Sequence, residues 1–416
     1  MIVRSLDPLQ ADEGEVWVAG DRIAEPGQGA RVDPRGGLVL PGNVCAHTHL
    51  YSALARGMPY ALEPPRDFLQ ILQRVWWRLD RALDEESVRA SALVGGMEAL
   101  LCGTTTLVDH HASPNAIDGS LDVIADALES LGARSVLCYE TSDRDGPQRA
   151  LAGVEENRRF LRTTRRLTRG LVGAHASFTL SDETLLACAE AGPLHIHAAE
   201  GDVDRGAVER LSELGALDER TLLAHGIHVD DEELATFRAS GATLAHNARS
   251  NMNNAVGRAR VLELGPEVAL GTDGIGSDMF EESRTAWFRL HEDDLLAPWD
   301  WPLATLAGSA RLAGRIFGEP LLGTLEPGAP ADLVVLDYTP PAPLEASNLG
   351  GHWIFGLSSR HVRDVMVAGT WVVRDRRLAL LDQDALAADA RGAAGRLWSR
   401  LEETPAHPFE PQRALS

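Results

Sequence analysis

Histidines and acidic residues in this 416-residue chain gather at the ends of short apolar runs, most sharply in A-H-T-H at Ala46–His49. His47 and His49 lie two apart on a segment that reads as a strand, so both side chains leave one face and converge. That spacing suits a metal, although H-x-H alone is a weak signal. H-I-H-A-A-E at His195–Glu200 adds His197, and G-T-D-G at Gly271–Gly274 adds Asp273. Three imidazoles and one carboxylate form a donor set for a zinc-like divalent ion with room for a water. Such an ion lowers the pKa of its water from about 15.7 to about 7, which makes hydroxide available at neutral pH. Glu200, three residues past His197, is placed to move that water's proton. The plainer reading of Glu200 is a helix-start carboxylate that complements the dipole.

Other polar residues leave more choice. In A-H-G-I-H, His225 lies nearer the strand end than His228, which falls in the following loop. His175 and His246 end two further runs and would either touch substrate or pack in the core. His195 shares a face with His197 but sits deeper, as a packing residue. His110 and His111 follow Asp109, and only one of them can face inward. Trp76 and Trp77 offer a stacking surface for a planar ligand, or simply lid and core packing.

These residues need a scaffold that brings distant segments together. Eight short apolar runs, 44–50, 104–109, 134–140, 171–176, 193–198, 221–226, 242–246 and 268–272, alternate with stretches carrying apolar residues at three- and four-residue spacing, such as 85–102, 119–131, 182–191 and 231–240. The alternation predicts βα units. Eight units in roughly 270 residues match an α/β fold of the (β/α)8 TIM barrel type, whose active site sits at the C-terminal ends of the strands. Every run but the third ends at or near a His or Asp. Turn-rich β pieces at 15–19 and 37–40 reappear in kind at 332–337, 362–368 and 371–373, which predicts one composite β-sandwich built from both chain ends. The expected division is 1–43 and 321–380 for the sandwich, 44–320 for the barrel, and 381–416 for a C-terminal helix and tail. The insert after the first run, holding Pro64-Pro65 and Trp76-Trp77, is a candidate lid.

Composition narrows the chemistry. All 39 basic side chains are arginine, so Schiff-base catalysis, Walker-type phosphate loops and kinase chemistry are excluded. A formal charge of -22 opposes nucleic acid or an anionic membrane as partner and points to small molecules. Four scattered cysteines without a C-x-x-C pair suggest neither a disulfide framework nor a cysteine zinc site. With no apolar leader or spanning run, the expectation is a soluble cytoplasmic protein. There is no G-x-S-x-G elbow, dinucleotide fingerprint, or H-x-E with P-C-x-x-C deaminase signature.

The pieces PGNVCAHTH, GTTTLVDH, GAHASF, HIHAAE, LAHGIH, HNARSN and GTDG together resemble the amidohydrolase superfamily, in its mononuclear cytosine-deaminase-like and triazine-hydrolase-like branch. FLQILQRVWWRLDRAL, DHHASPN and LCYETSDRDG are similar to the SsnA group of aminohydrolases. The resemblance implies that His47, His49, His197 and Asp273 hold one divalent metal, zinc most often and otherwise iron. It makes Glu200 the proton shuttle, His225 the residue that orients the attacking hydroxide, and His175 a substrate contact. The 28-residue spacing from His197 to His225 is one that similar deaminases share. Ala248 departs from the family's H-N-P-x-S-N pattern. Binuclear relatives need a carbamylated lysine, which a lysine-free chain cannot supply. The implied reaction is hydrolytic deamination of an amino-substituted purine-, pterin- or triazine-like ring: metal-bound hydroxide attacks, Glu200 protonates the adjacent ring nitrogen, and Asp273 helps pass a proton to leaving ammonia. Triazine dechlorination or dealkylamination, cyclic amide opening, and a non-catalytic ligand-binding role are the alternatives. The resemblance also implies a homo-oligomer.

Overall fold

A computed structural model describes residues 1–60 and 62–411. All eight predicted runs are strands: Asn43–Thr48, Thr104–His111, Arg134–Tyr139, Val172–Ala176, Leu194–Ala198, Leu222–His225, Thr243–His246 and Val268–Leu270. They are barrel strands one to eight below. Strands one to three pair in parallel, as do four to eight. Parallel bridges Thr141 to Ala174 and Thr48 to Asp273 join the two sets, and the Thr272 N–H reaches the His47 carbonyl at 2.8 Å, which closes the ring. Strand one stops at Thr48 rather than Leu50 because the Asp109 carboxylate takes the Leu50 N–H at 2.7 Å and turns the chain into a short 3-10 segment, Leu50–Ala55.

Helices follow the predicted patterns closely, at Glu85–Leu101, Ser120–Leu131, Asp182–Ala191 and Asp231–Ser240. Their starts are set by side chains that satisfy the free N–H groups of the first turn. Asp84 with Ser87, and Asp230 with Glu233, form reciprocal capping boxes, and Ser181 caps the helix at Asp182. Apolar residues of strands one, two, three, six, seven and eight share a buried cluster with the helix Trp301–Phe317.

Both ends of the chain meet in a seven-stranded sheet. Its order is Arg377–Leu378, Thr370–Arg374, Val362–Val367, Leu333–Leu336, Leu38–Pro41, Ile2–Leu6, Leu9–Asp12. Leu38–Pro41 runs antiparallel to Leu333–Leu336, residue by residue. A second sheet of three short strands, Trp17–Ala19 with Arg22–Ala24 and Ala30–Arg31, packs on it through Ile2, Val18, Ile23, Val39 and Leu333. The sheet is clamped to the barrel by Arg134, whose guanidinium meets Asp332 at 2.8 and 3.1 Å with both side chains buried. Asp332 also accepts the Ala368 N–H at 2.7 Å.

The insert after strand one folds back over the strand ends. Helix Phe68–Ile71 runs into a π turn, Leu72–Trp76, and on into helix Trp77–Ala82. π turns recur at functional sites. The long helix Gln383–Glu403 and the segment after it brace the insert: Arg78 donates to the Leu401 and Thr404 carbonyls, and the Trp77 ring packs on His407 and Phe409. Among the described residues, no helix is long and apolar enough to cross a membrane.

Candidate active site

The imidazoles at the strand ends are oriented by backbone carbonyls of neighbouring strands. His49 Nδ1 donates to the His110 carbonyl, and His197 Nδ1 to the His175 carbonyl, each at 2.6 Å. Each ring therefore carries its proton on Nδ1 and turns the Nε2 lone pair inward, the tautomer that a metal ligand needs. These two Nε2 atoms lie 3.1 Å apart, and His49 Nε2 is 3.0 Å from Asp273 Oδ1. His47 Nε2, 3.6 Å from the same oxygen, is buried without a hydrogen-bond partner. His195 serves His47 from below, at 2.9 Å between its Nε2 and His47 Nδ1.

Asp273 and His225 reach this point through strained backbone. Both are non-glycine residues with positive φ, 52° and 80°, at the ends of strands eight and six. Such conformations cost about 1–3 kcal/mol and persist where surrounding structure enforces them. For Asp273 the enforcement is visible: its N–H bonds the His47 carbonyl at 3.1 Å, and the Ser250 hydroxyl donates to Oδ2. His225 donates from Nδ1 to Asn251 Oδ1 at 2.8 Å, which leaves Nε2 unpartnered, 3.5 Å from Glu200 and 3.9 Å from Asp273. Glu200 accepts from Asn254 at 3.4 Å.

Burial and charge tune these groups strongly. Burial drives His47 down to about 3 and His197 well below its ordinary value. Burial also works against the His49 cation, but contact with Asp273 outweighs it and lifts His49 to about 9, so a metal ion binding there would displace the Nε2 proton. Burial raises Glu200 to about 7, partly offset by His225. Converging lone pairs in a buried space are costly unless a cation satisfies them. The unpartnered Nε2 atoms of His47 and His225, with His197 and Asp273 within 4.8 Å, fit a divalent ion, and His49 adjoins the same oxygen. A second donor grouping, His49, His110, Glu140 and His197, shares His197 with the first. One imidazole nitrogen has a single lone pair and cannot serve two ions; in a third grouping, His110, Cys138 and His195, the ring nitrogens already meet Glu140, the His195 carbonyl, His47 and Cys138, so the free donor atoms suit one metal.

Above these residues opens a cavity at the strand ends. Phe68, Leu72, Trp76 and Phe178 give it an aromatic and apolar side, and Glu140, His175, Glu200, Asp204 and Asn254 a polar one. His175 and Trp76, expected as substrate contacts, line it. Burial lowers His175 to about 3, which keeps its ring neutral. His110 and His111, the other expected substrate contacts, do not line the cavity. His110 is buried with its two ring nitrogens on the His195 carbonyl and Glu140, at 3.1 and 3.2 Å. His111 is buried against Ser113, at 2.8 Å, and Tyr51. His246 packs on Trp301 away from the cavity, and His228 lies in a loop beside Asp202 and Arg205.

Glu140, not among the expected site residues, follows strand three, the one run without a His or Asp at its end. Its signal was present as the carboxylate that ends the apolar run V-L-C-Y-E. Asp204 and Asn254 were also missed; they come from turns after strands five and seven, where nothing in the local pattern sets them apart.

A model of the amidohydrolase family matches residues 38–372. The chain is 33% identical to the 5-methylthioadenosine/S-adenosylhomocysteine deaminase of Natronomonas pharaonis, over 97% of this chain and 96% of that protein. It is 28% identical to the 5'-deoxyadenosine deaminase of Methanosarcina mazei, over 96% of this chain and 97% of that one. An adenosine deaminase from Xanthomonas campestris, solved with bound zinc, shares the fold with a TM-score of 0.80 at 23% identity, covering 96% of this chain and 97% of that chain. Family match, barrel architecture and the histidine cluster at the strand ends agree: the chain belongs to the amidohydrolase family.

Proposed function

We propose that this chain is a zinc-dependent aminohydrolase that releases ammonia from an amino-substituted nitrogen heterocycle. The carrying observation is the buried gathering of His47, His197, His225 and Asp273, with His49 Nε2 3.0 Å from Asp273 and Glu200 3.5 Å from His225, at the floor of an aromatic slot. The deaminase names of the relatives, both for adenine derivatives, support the same reaction class. His47, His49, His197 and Asp273 would hold zinc, whose Lewis acidity would make a water nucleophilic near neutral pH.

The protein's own groups do the rest. Glu200, lifted by burial to about 7, exchanges a proton near neutrality and can hand it to the ring nitrogen next to the carbon under attack. His225, with its proton fixed on Nδ1 by Asn251, offers an acceptor to the attacking water. Asp273, steadied by Ser250, takes the second proton for the departing ammonia. Trp76 and Phe178 hold a planar ring and exclude bulk water. A panel of purines, pterins and triazines assayed for ammonia, with metal analysis of the same protein, tests the reading; chloride or carboxylate release without ammonia rejects it.

Two wider readings accompany this one. The division of the chain into barrel, composite sandwich and C-terminal helix is supported by the strand order. A cytoplasmic homo-oligomer is supported by four unpaired cysteines and by a protruding apolar cluster of Phe288, Leu295, Leu296, Trp299 and Phe355. A monomeric mass by light scattering rejects the oligomer.

A further inference from the structure

We infer that His195 and Cys138 are positioning residues that set how tightly zinc is held, by keeping the His47 Nε2 lone pair turned toward the ion. They form a directed chain of hydrogen bonds: His47 Nδ1–H to His195 Nε2, His195 Nδ1–H to Cys138 Sγ, and the Cys138 S–H to the Asp109 carbonyl. This deepens the aminohydrolase reading and rests on its assignment of His47 as a zinc ligand.

The rings at the site are not fixed alike. His49 and His197 give their Nδ1 protons to backbone carbonyls, and His225 gives its own to the Asn251 side-chain oxygen. Those oxygens only accept, so each of the three rings carries its proton in one way. The Nδ1 partner of His47, at 2.9 Å, is another imidazole, which in its neutral form either accepts or donates at Nε2. If His195 carried its proton on Nε2, His47 would accept it on Nδ1 and turn an N–H, not a lone pair, toward Asp273 and the ion. What His195 does is decided at its other nitrogen.

That nitrogen, Nδ1, lies 3.6 Å from Cys138 Sγ, and the same sulfur lies 3.5 Å from the Asp109 carbonyl oxygen. A thiol that donates to the carbonyl leaves a sulfur lone pair for the His195 proton. Burial lifts the thiol well above its ordinary value, so it keeps its S–H. The opposite order, with the thiol donating to His195, would end in an N–H of His47 at the ion, and is the order that zinc excludes. Both side chains are fully buried. Cys138 stands on strand three and His195 on strand five, and they meet across strand four because Gly173 is the residue paired with His195 there. A Cβ on Gly173 would come 3.1 Å from Cys138 Sγ and 2.3 Å from the Tyr139 carbonyl oxygen. The His195 carbonyl takes His110 Nε2–H at 3.1 Å, which ties the main chain at the same point.

The test reads ring protonation and zinc affinity rather than turnover. Nitrogen-15 spectra of the zinc-loaded, histidine-labelled protein should show the His195 proton on Nδ1, its signals identified by their loss in His195→Gln or their shift in Cys138→Val. Zinc dissociation constants, from competition with a chromophoric chelator, should rise by about 10- to 100-fold in His195→Leu, which has nothing to accept the His47 proton. His195→Gln, whose amide oxygen can take that proton, should stay within about threefold of wild type. Cys138→Val, close in volume but unable to accept, should weaken zinc by about tenfold while the metal-free melting temperature holds. A His195 proton on Nε2 in the zinc-loaded protein overturns the inference and leaves the aminohydrolase intact. So does zinc binding by His195→Leu within about threefold of wild type, or an equal loss in the Leu and Gln variants, which would mark a packing role. If the variants at His195 do not fold, the spectrum and Cys138→Val decide. Wild-type protein that binds no zinc removes the metal-dependent reading and this one with it.

Discussion

Glu200→Gln isolates proton transfer from everything else at the site. Burial lifts this carboxyl from 4.5 to about 7. At pH 7 a glutamate at its ordinary value is about 0.3% protonated, whereas one near 7 is about half protonated, roughly 150-fold more of the acid form. The amide keeps the volume and an oxygen for the Asn254 contact at 3.4 Å but carries no transferable proton. General acid–base catalysis contributes about 10²–10⁴ in rate, or about 3–5 kcal/mol of barrier. We therefore expect kcat for the best panel substrate to fall by that factor, with KM within about threefold. Zinc content should stay at the wild-type level, since the metal-binding donors are other residues. The assay is ammonia release at pH 7 alongside metal analysis of the same sample. A variant that keeps more than about a tenth of wild-type kcat, or that loses zinc in step with activity, refutes the assignment of Glu200 as the proton carrier.

Four further outcomes are expected. Chelation should abolish ammonia release and lower the melting temperature, and zinc added back should restore both at one equivalent per chain; an endpoint at two contradicts the single-ion site. Trp76→Ala should raise KM by about 5- to 150-fold with kcat little changed, the size of one lost ring-stacking contact; steady-state kinetics showing an unaltered KM would place the indole outside the binding slot. Asp332→Ala leaves the Arg134 guanidinium buried without its partner and should cost about 3–5 kcal/mol in chemical denaturation, while a loss under 1 kcal/mol would show that the clamp is dispensable. Burial raises Asp204 from 3.8 to about 7. The folded state therefore holds its proton more tightly than the unfolded chain, so its stabilisation is complete below about pH 4 and lost as pH rises to about 7, by about 4 kcal/mol at most. Asp204→Asn should flatten the difference in unfolding free energy between pH 5 and pH 8, and an unchanged slope would discount Asp204.

The barrel was legible because buried parallel strands leave continuous apolar runs and their helices leave three- and four-residue spacing, and the eight runs appear as eight strands. His47 and His49 stood out because strand geometry alone puts them on one face. His110 and His111 show what such spacing leaves open. Whether a strand-end ring faces a cavity depends on which nitrogens neighbouring carbonyls and carboxylates take up, and that is set by a strand far away in the chain. Glu140 was hidden for a related reason: a carboxylate one residue past a strand looks like a loop residue until Arg144 and His110 are seen to hold it inward. The π turn that carries Trp76 has no pattern of its own, and Asp204 and Asn254 enter from turns whose paths only the packed structure defines.

The antiparallel pairing of Leu38–Pro41 with Leu333–Leu336 bears on how the molecule is made. Leu38 emerges from the ribosome about 300 residues before Leu336, a delay of roughly 15–60 s at about 5–20 residues per second. Throughout that interval one edge of the early strand, V-L-P with Leu38 before it, lacks its partner while the whole barrel is synthesised. An open apolar strand edge is a template for pairing with other chains. A nascent chain cut before Leu333 would hold all the candidate metal donors and Glu200 yet expose this edge permanently. Its expected fate is aggregation rather than a smaller active enzyme, so the yield of soluble protein depends on residues that never approach the substrate.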